Sequence, residues 1–267
     1  MRKLTLMLRM YFIYFILVII GCSSIPENIA VSIDGVEISF TTTGQGNPTL
    51  VFVHGWGSER SRWKGQVAHF SDKHRIVTLD LPGFGESGND RENWTMDAYG
   101  ADVVSVLKRL NIKNAVLVGH SMGAYAVLEA ARKAPQWIIG LVPVDMLQNV
   151  EETYTKEMID GRLEQFQAYI ESPEVTVPTI GWMECIRDAM VYRERLPDVL
   201  KEIQTPIHCI NSDQQPTLVA VARKYAASFD ADIVEGVGHS VIIDAPEAFN
   251  RLLEEIVEEF LSKAEAE

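Results

Sequence analysis

Cysteine is scarce in this chain, with three in 267 residues, and bases are outnumbered by acids, 24 Lys and Arg against 37 Asp and Glu. Three cysteines, none spaced as zinc ligands, exclude a disulfide-built scaffold and a zinc-finger module. A net charge of −13 with no Lys/Arg stripe that could track phosphates argues against a nucleic-acid partner. There is no internal repeat, no low-complexity segment and no nucleotide-binding motif, so neither a metal nor a cofactor is expected. The one strongly apolar run near the start, Met10–Ile20, falls short of the ~20 residues that a spanning helix needs. What is present is a hydrophobic fraction of 47%, enough for a single sizeable core at this length.

The N-terminus reads differently from the rest. Arg2, Lys3 and Arg9 precede the apolar run, which ends in Ile19-Ile20-Gly21-Cys22 and then polar Ser23-Ser24. This order resembles the lipobox of bacterial lipoproteins, which implies an exported precursor with residues 1–21 as signal peptide and Cys22 as the lipidated first residue. Removing those residues takes away three bases and no acid, leaving a more acidic body. Anionic lipid would repel that body, so acyl chains rather than a basic patch would hold it at the cell envelope. Cys209 sits in an apolar run and reads as a buried small residue, so no bridge to Cys185 is expected.

Past the leader, alternating segments on either side of Asp34-Gly35 predict a β-hairpin. Six continuous apolar runs follow, at 49–55, 74–83, 114–119, 137–145, 205–213 and 231–239. Such runs suit strands covered on both faces. Helical spacing separates them, most clearly over Trp94–Leu110 and Pro246–Leu261. Strand–helix alternation predicts an α/β, doubly wound and mostly parallel sheet led by an antiparallel hairpin. Residues 146–204 contain no good strand but show helical spacing at Ile159, Leu163, Phe166 and Ile170 and around Ile186, Ala189 and Met190. We therefore expect a core in two parts, 22–145 and 205–267, with a helical cap at 146–204.

The third apolar run passes straight into Gly119-His120-Ser121-Met122-Gly123. A sharp strand-to-helix turn crowds the positions two before and two after its centre, and glycine fits both. The pattern is G-x-S-x-G, a nucleophile elbow that lifts the Ser121 hydroxyl over free helix N–H groups. A serine needs a base, and His239, after the last apolar run, is the candidate. An acid must then orient the imidazole. Asp213 and Asp145 both end apolar runs, and Asp213 is favoured because the strand before the final one is the commoner source, with Asp145 as the alternative. The His54-Gly55 turn aims the Trp56 N–H into the same space, where it and the Met122 N–H would form an oxyanion hole.

Taken in order, His54-Gly55-Trp56-Gly57, Asp80–Gly88, Gly119–Gly123, Asp213 and Gly238-His239 resemble an α/β-hydrolase. The resemblance spans roughly residues 29–261 and implies that Asp80, Pro82, Gly83 and Gly85 shape a loop rather than react. It implies a serine hydrolase acting on a carboxylic ester or similar acyl bond of a small molecule, without a cofactor. Trp182, Met183, Met190, Tyr169 and Phe166 of the cap would then cover an apolar acyl pocket. Haloalkane dehalogenases and epoxide hydrolases of this fold carry aspartate at the nucleophile position, so Ser121 argues against both. A C–C bond hydrolase, a lactonase, a thioesterase and a perhydrolase use the same triad and stay open. A non-catalytic, lipid-anchored binding protein on this scaffold would be free to lose the nucleophile, base or elbow glycines, yet all are retained.

Overall fold

Leu50 to Val53 bury every side chain because both faces of their strand are covered. The computed structural model describes residues 26–173, 175 and 180–266, so Cys22 and the leader lie outside it. Eight strands form one sheet: β1 (Ile29–Val31), β2 (Glu37–Thr43), β3 (Thr49–Val53), β4 (Ile76–Leu79), β5 (Ala115–His120), β6 (Ile138–Val144), β7 (Ile207–Ser212) and β8 (Phe229–Val234). Their spatial order is β1-β2-β4-β3-β5-β6-β7-β8. The β1–β2 and β2–β4 pairs are antiparallel, and every later pair is parallel. The expected doubly wound architecture is what forms.

Nine helices among the described residues pack around this sheet: α1 (Lys64–Phe70), α2 (Met96–Arg109), α3 (Met122–Lys133), α4 (Lys156–Ile170), α5 (Trp182–Tyr192), α6 (Leu196–Glu202), α7 (Val219–Ala222), α8 (Val241–Asp244) and α9 (Pro246–Ala266). The two-residue period of a strand divides the core into two layers. Val51, Val53, Ala115 and Leu117 meet α2 and α3 on one face. Leu50, Phe52, Val116 and Val118 meet α1 and α9 through Phe70, Phe249 and Leu253 on the other. Each large apolar side chain so buried contributes about 2 kcal/mol. Cys185 and Cys209 are free thiols in the first layer, and burial pushes Cys185 up to about 12.

Helix starts follow local chemistry. Thr95 caps α2 by accepting the Ala98 N–H at 3.3 Å, so the expected helix begins at Met96 rather than Trp94. Thr155 caps α4 in the same way through Met158, also at 3.3 Å. The last strand stops at Val234, five residues before His239, because Gly236 turns the chain at φ +73°. Two short helices, α1 and α8, carried too little periodicity to be read from sequence.

Helices α4, α5 and α6 occupy the interval between β6 and β7; α4 and α5 line the cavity at the sheet's C-terminal edge, and α6 packs on α3 on its way into β7. Three polar anchors hold α5 on the core. Trp182 donates its Nε1–H to Gly83 O at 2.8 Å and stacks on Phe84, Asp188 accepts the Met96 N–H at 2.7 Å, and the Tyr192 hydroxyl donates to Glu129 at 2.7 Å. By contrast α4 buries only Ile159 and Leu163, which pack with Met190 of α5.

Candidate active site

Ser121 has φ +53° and ψ −123°, a combination outside every region that a side-chain-bearing residue favours. Holding it there costs of order 1–3 kcal/mol. The flanking glycines make the turn possible. A Cβ on Gly119 would strike the Gly123 carbonyl, and one on Gly123 would lie 2.5 Å from His54 O and 2.6 Å from Val53 O. Gly55 also comes close, since a Cβ there would meet the Ser121 Cβ at 3.0 Å. Backbone from β3 and β5 therefore converges on the serine. Among the described residues, the N–H groups of Trp56 and Met122, the two expected oxyanion donors, find no acceptor.

His54 shapes this convergence from below. Its Nε2 accepts the Leu81 N–H at 3.0 Å, so Nδ1 carries the proton and donates to Gly55 O at 2.7 Å. Burial pushes the ring's pKa down, which keeps that neutral tautomer. Asp80 accepts the Arg60 N–H at 2.6 Å and the Glu86 N–H at 2.9 Å and pairs with the Arg60 guanidinium. It ties two loops together away from the serine.

The acid is where the structure departs from the sequence preference. His239 Nδ1 donates to Asp145 Oδ2 at 2.5 Å, whereas Asp213 is exposed and accepts the Gly236 N–H at 3.1 Å. The pairing of His239 with Asp213 is thus corrected to Asp145. Strand β6 is the neighbour of β5, so its C-terminal end lies beside the Ser121 turn, and the Ser121 N–H donates to Val144 O at 3.0 Å. Strand β7 is one place further out and ends on Ser212, whose side chain turns inward, leaving Asp213 to brace the turn that carries His239.

Asp145 is well held. Its Oδ1 accepts the Ser212 N–H and hydroxyl, both at 2.8 Å, and the Gln148 amide at 3.4 Å. Burial alone would raise its pKa, but the His239 and Ser212 hydrogen bonds outweigh it and the value falls below the ordinary carboxylate range. The sequence reading missed Ser212; the signal was a hydroxyl residue immediately before the aspartate it had favoured.

His120, the elbow's second residue, donates its Nε2–H to the carbonyl of His239 at 2.7 Å. Burial, with the adjacent His239 ring adding, pushes its pKa down to about 4 from an ordinary 6.5. Between those two values the unfolded chain takes up a proton that the folded chain refuses. Stability is therefore full above pH 6.5 and falls toward pH 4, by about 1.4 kcal/mol per pH unit from this group. Urea unfolding at pH 7 and pH 5 tests this. His120→Gln, which keeps an N–H donor, is expected to lose less stability over that interval than the wild type, and an equal loss would refute the assignment.

Ser121, Asp145 and His239 share a cavity of about 310 Å³. Phe166, Ile186 and Met190 of the cap face it, as expected of an acyl pocket. Trp182 does not, being locked between Phe84 and Trp56, and Met183 packs with the small cap cluster. Tyr169 lies with the Trp56 ring and Phe166 along a separate shallow groove. Nor is the cavity purely apolar. Glu152, Tyr154, Arg162 and Arg193 line one part of it, and Gln148, Gln214 and Gln215 another. Those polar groups come from cap helices and loops whose spacing reads simply as exposed faces. Among the described residues no cluster of His, Cys, Asp and Glu could hold a metal ion.

A family model described as the alpha/beta hydrolase family matches residues 50–252. The chain is 30% identical over 163 residues to the dihydrolipoyllysine-residue acetyltransferase component of an acetoin cleaving system from Pseudomonas putida, covering 61% of this chain and 42% of that one. It is 37% identical over 100 residues to a pimeloyl-[acyl-carrier protein] methyl ester esterase from Methylococcus capsulatus, covering 38% and 37%. The chain thus spans less than half the length of these two relatives. Among solved structures, an esterase from Exiguobacterium antarcticum superposes with a TM-score of 0.73 at 20% identity, covering 86% of this chain and 99% of that one. At that identity the likeness is one of fold.

Proposed function

The chain belongs to the alpha/beta hydrolase family, and from that premise we propose that it is a serine hydrolase cleaving a carboxylic ester or similar acyl bond. The observation that carries this reading is the strained Ser121 turn sharing one cavity with a His239 that is hydrogen-bonded to Asp145. Ser121 Oγ attacks the carbonyl carbon as His239 takes its proton. The negative charge that develops on the carbonyl oxygen falls to the Trp56 and Met122 N–H groups, each typically worth about 3 kcal/mol in the transition state. As the tetrahedral adduct collapses, the bond to the leaving oxygen breaks and His239 returns the proton to it. Water then attacks the acyl-enzyme with His239 again as base, releasing the acid and free Ser121. Asp145 holds His239 in the tautomer with the proton on Nδ1 and stabilises the imidazolium.

A panel of 4-nitrophenyl esters from acetate to decanoate, with a thioester and a lactone beside them, tests the reading. A 310 Å³ cavity lies at the small end of ligand sites, so turnover is expected to peak at short acyl chains. No turnover of any acyl substrate and no labelling by a fluorophosphonate would refute it.

We propose further that Cys22 is lipidated and anchors the enzyme at the cell envelope, on the strength of Ile19-Ile20-Gly21-Cys22 behind a basic, apolar leader. Among the described residues no helix is long and apolar enough to cross a membrane. Cys22→Ala is expected to abolish labelling by radioactive palmitate in a bacterial host. Undiminished labelling would overturn the anchor.

A further inference from the structure

Two carboxylates and two guanidinium groups face the cavity besides the His239 imidazole: Asp145, Glu152, Arg162 and Arg193. Asp145 is matched by His239 at 2.5 Å, and Glu152 by Arg193, also at 2.5 Å. The Arg193 guanidinium is further used up by Asn149 O at 3.2 Å, Glu152 O at 3.3 Å and the Tyr125 hydroxyl at 3.3 Å. It is buried and its donors are committed, so its work is to hold the cavity wall.

Arg162 differs. Its guanidinium lies over the Tyr154 ring, 4.5 Å from the centroid, while Arg193 lies 4.9 Å from the same ring. Tyr154 thus has two guanidinium groups within cation–π distance of one ring. A cation–π contact of this kind consumes none of the guanidinium's N–H donors. Among the described residues Arg162 meets no carboxylate and makes no hydrogen bond. Arg162 is exposed, and a positive charge whose five donors have no protein partner among the described residues thus lines the cavity, in a chain whose net charge is −13. Helix α4 presents it together with Phe166, one turn and about 6 Å further along the axis. An apolar surface therefore sits beside the cation on the same wall.

We propose that Arg162 is a specificity residue that receives a carboxylate on the substrate, so that the preferred substrates are small, anionic acyl compounds such as monoesters of short dicarboxylic acids. This rests on the serine-hydrolase reading, to which it adds the substrate class. The free fork would take the carboxylate through paired N–H···O bonds, the geometry at which arginine outperforms lysine. Phe166 and Met190 would cover the carbon chain between the two carbonyl ends. The cavity volume limits that chain to a few carbons.

The test compares 4-nitrophenyl hydrogen adipate with the neutral 4-nitrophenyl heptanoate on the full-length protein, alongside Arg162→Gln and Arg162→Lys. The ratio of kcat/KM, anionic over neutral, is expected to exceed one by about tenfold and to fall by about tenfold in Arg162→Gln, the scale of one charge-assisted hydrogen-bond pair. Arg162→Lys should retain an intermediate ratio. A wild-type ratio at or below one, or a ratio indifferent to Arg162→Gln, overturns the proposal while leaving the hydrolase intact. Calorimetric titration of adipate into Ser121→Ala, with and without Arg162→Gln, separates the two claims. Adipate binding that depends on Arg162, without turnover of either ester, refutes the hydrolase and upholds the anion site. Neither binding nor turnover refutes both.

Discussion

Asp145→Asn is expected to lower kcat by about 10⁴ while leaving KM within a few-fold, and Asp213→Asn is expected to change kcat by less than about threefold. The difference follows from what each carboxylate touches. Asp145 Oδ2 takes the Nδ1–H of His239, and its Oδ1 takes two donors from Ser212, so both oxygens are committed as acceptors. An amide at 145 must place its NH₂ against one of those donors. If it faces His239, the imidazole flips its tautomer and presents a proton where Ser121 needs a base. If it faces Ser212, a buried pair of donors is left opposed, a cost of roughly 1–3 kcal/mol in stability. Asp213 loses only an exposed acceptor for the Gly236 N–H, and asparagine supplies another. Steady-state kinetics on 4-nitrophenyl butyrate, with thermal unfolding as a control for folding, decide the matter. A large loss in the Asp213 variant with a mild one at Asp145 would reverse the assignment.

Ser121→Ala should cost more, about 10⁵–10⁶ in kcat, and should abolish fluorophosphonate labelling. The nucleophile and its base act as one unit, so removing the hydroxyl leaves only the oxyanion donors and substrate binding. The same position carries a stability signature that a passive turn would lack. At φ +53° and ψ −123° alanine is as strained as serine, so Ser121→Ala should melt close to the wild type. Ser121→Gly removes the Cβ and with it the strain, and is expected to gain about 1 kcal/mol despite the greater freedom of its unfolded chain. A glycine variant less stable than the alanine variant would mean that the turn is not strained. Full activity in either variant would remove Ser121 from the mechanism.

Local chemistry alone determined much of this protein. Val51 to Val53 and Val116 to Val118 are apolar without alternation, and only a strand covered on both faces accommodates that. Gly119 and Gly123 mark the Ser121 turn because no larger side chain fits between β5, α3 and the end of β3, and that constraint is written two residues either side of the serine. His239 is legible for a similar reason, standing alone between the last strand and the last helix.

The acid was different. Asp145 and Asp213 both follow apolar strands and both precede His239, so chain order is blind to the choice. It was made by the position of β6 next to β5 and by the inward turn of Ser212 at the end of β7, which together place one carboxylate beside the imidazole and the other beside a loop amide. The same holds for the cavity wall. Arg162 sits on a helix that exposes most of its residues, and nothing in its spacing separates it from a solvated charge. Only the packing of α4 against α5, with Tyr154 within reach of two guanidinium groups, puts that exposed side chain on the wall of the cavity that Ser121 also lines. Sequence specifies which backbone each stretch can adopt, because those constraints act over a few residues. Which charges meet is decided by the order of the strands and the docking of the cap, which bring together residues nearly a hundred positions apart.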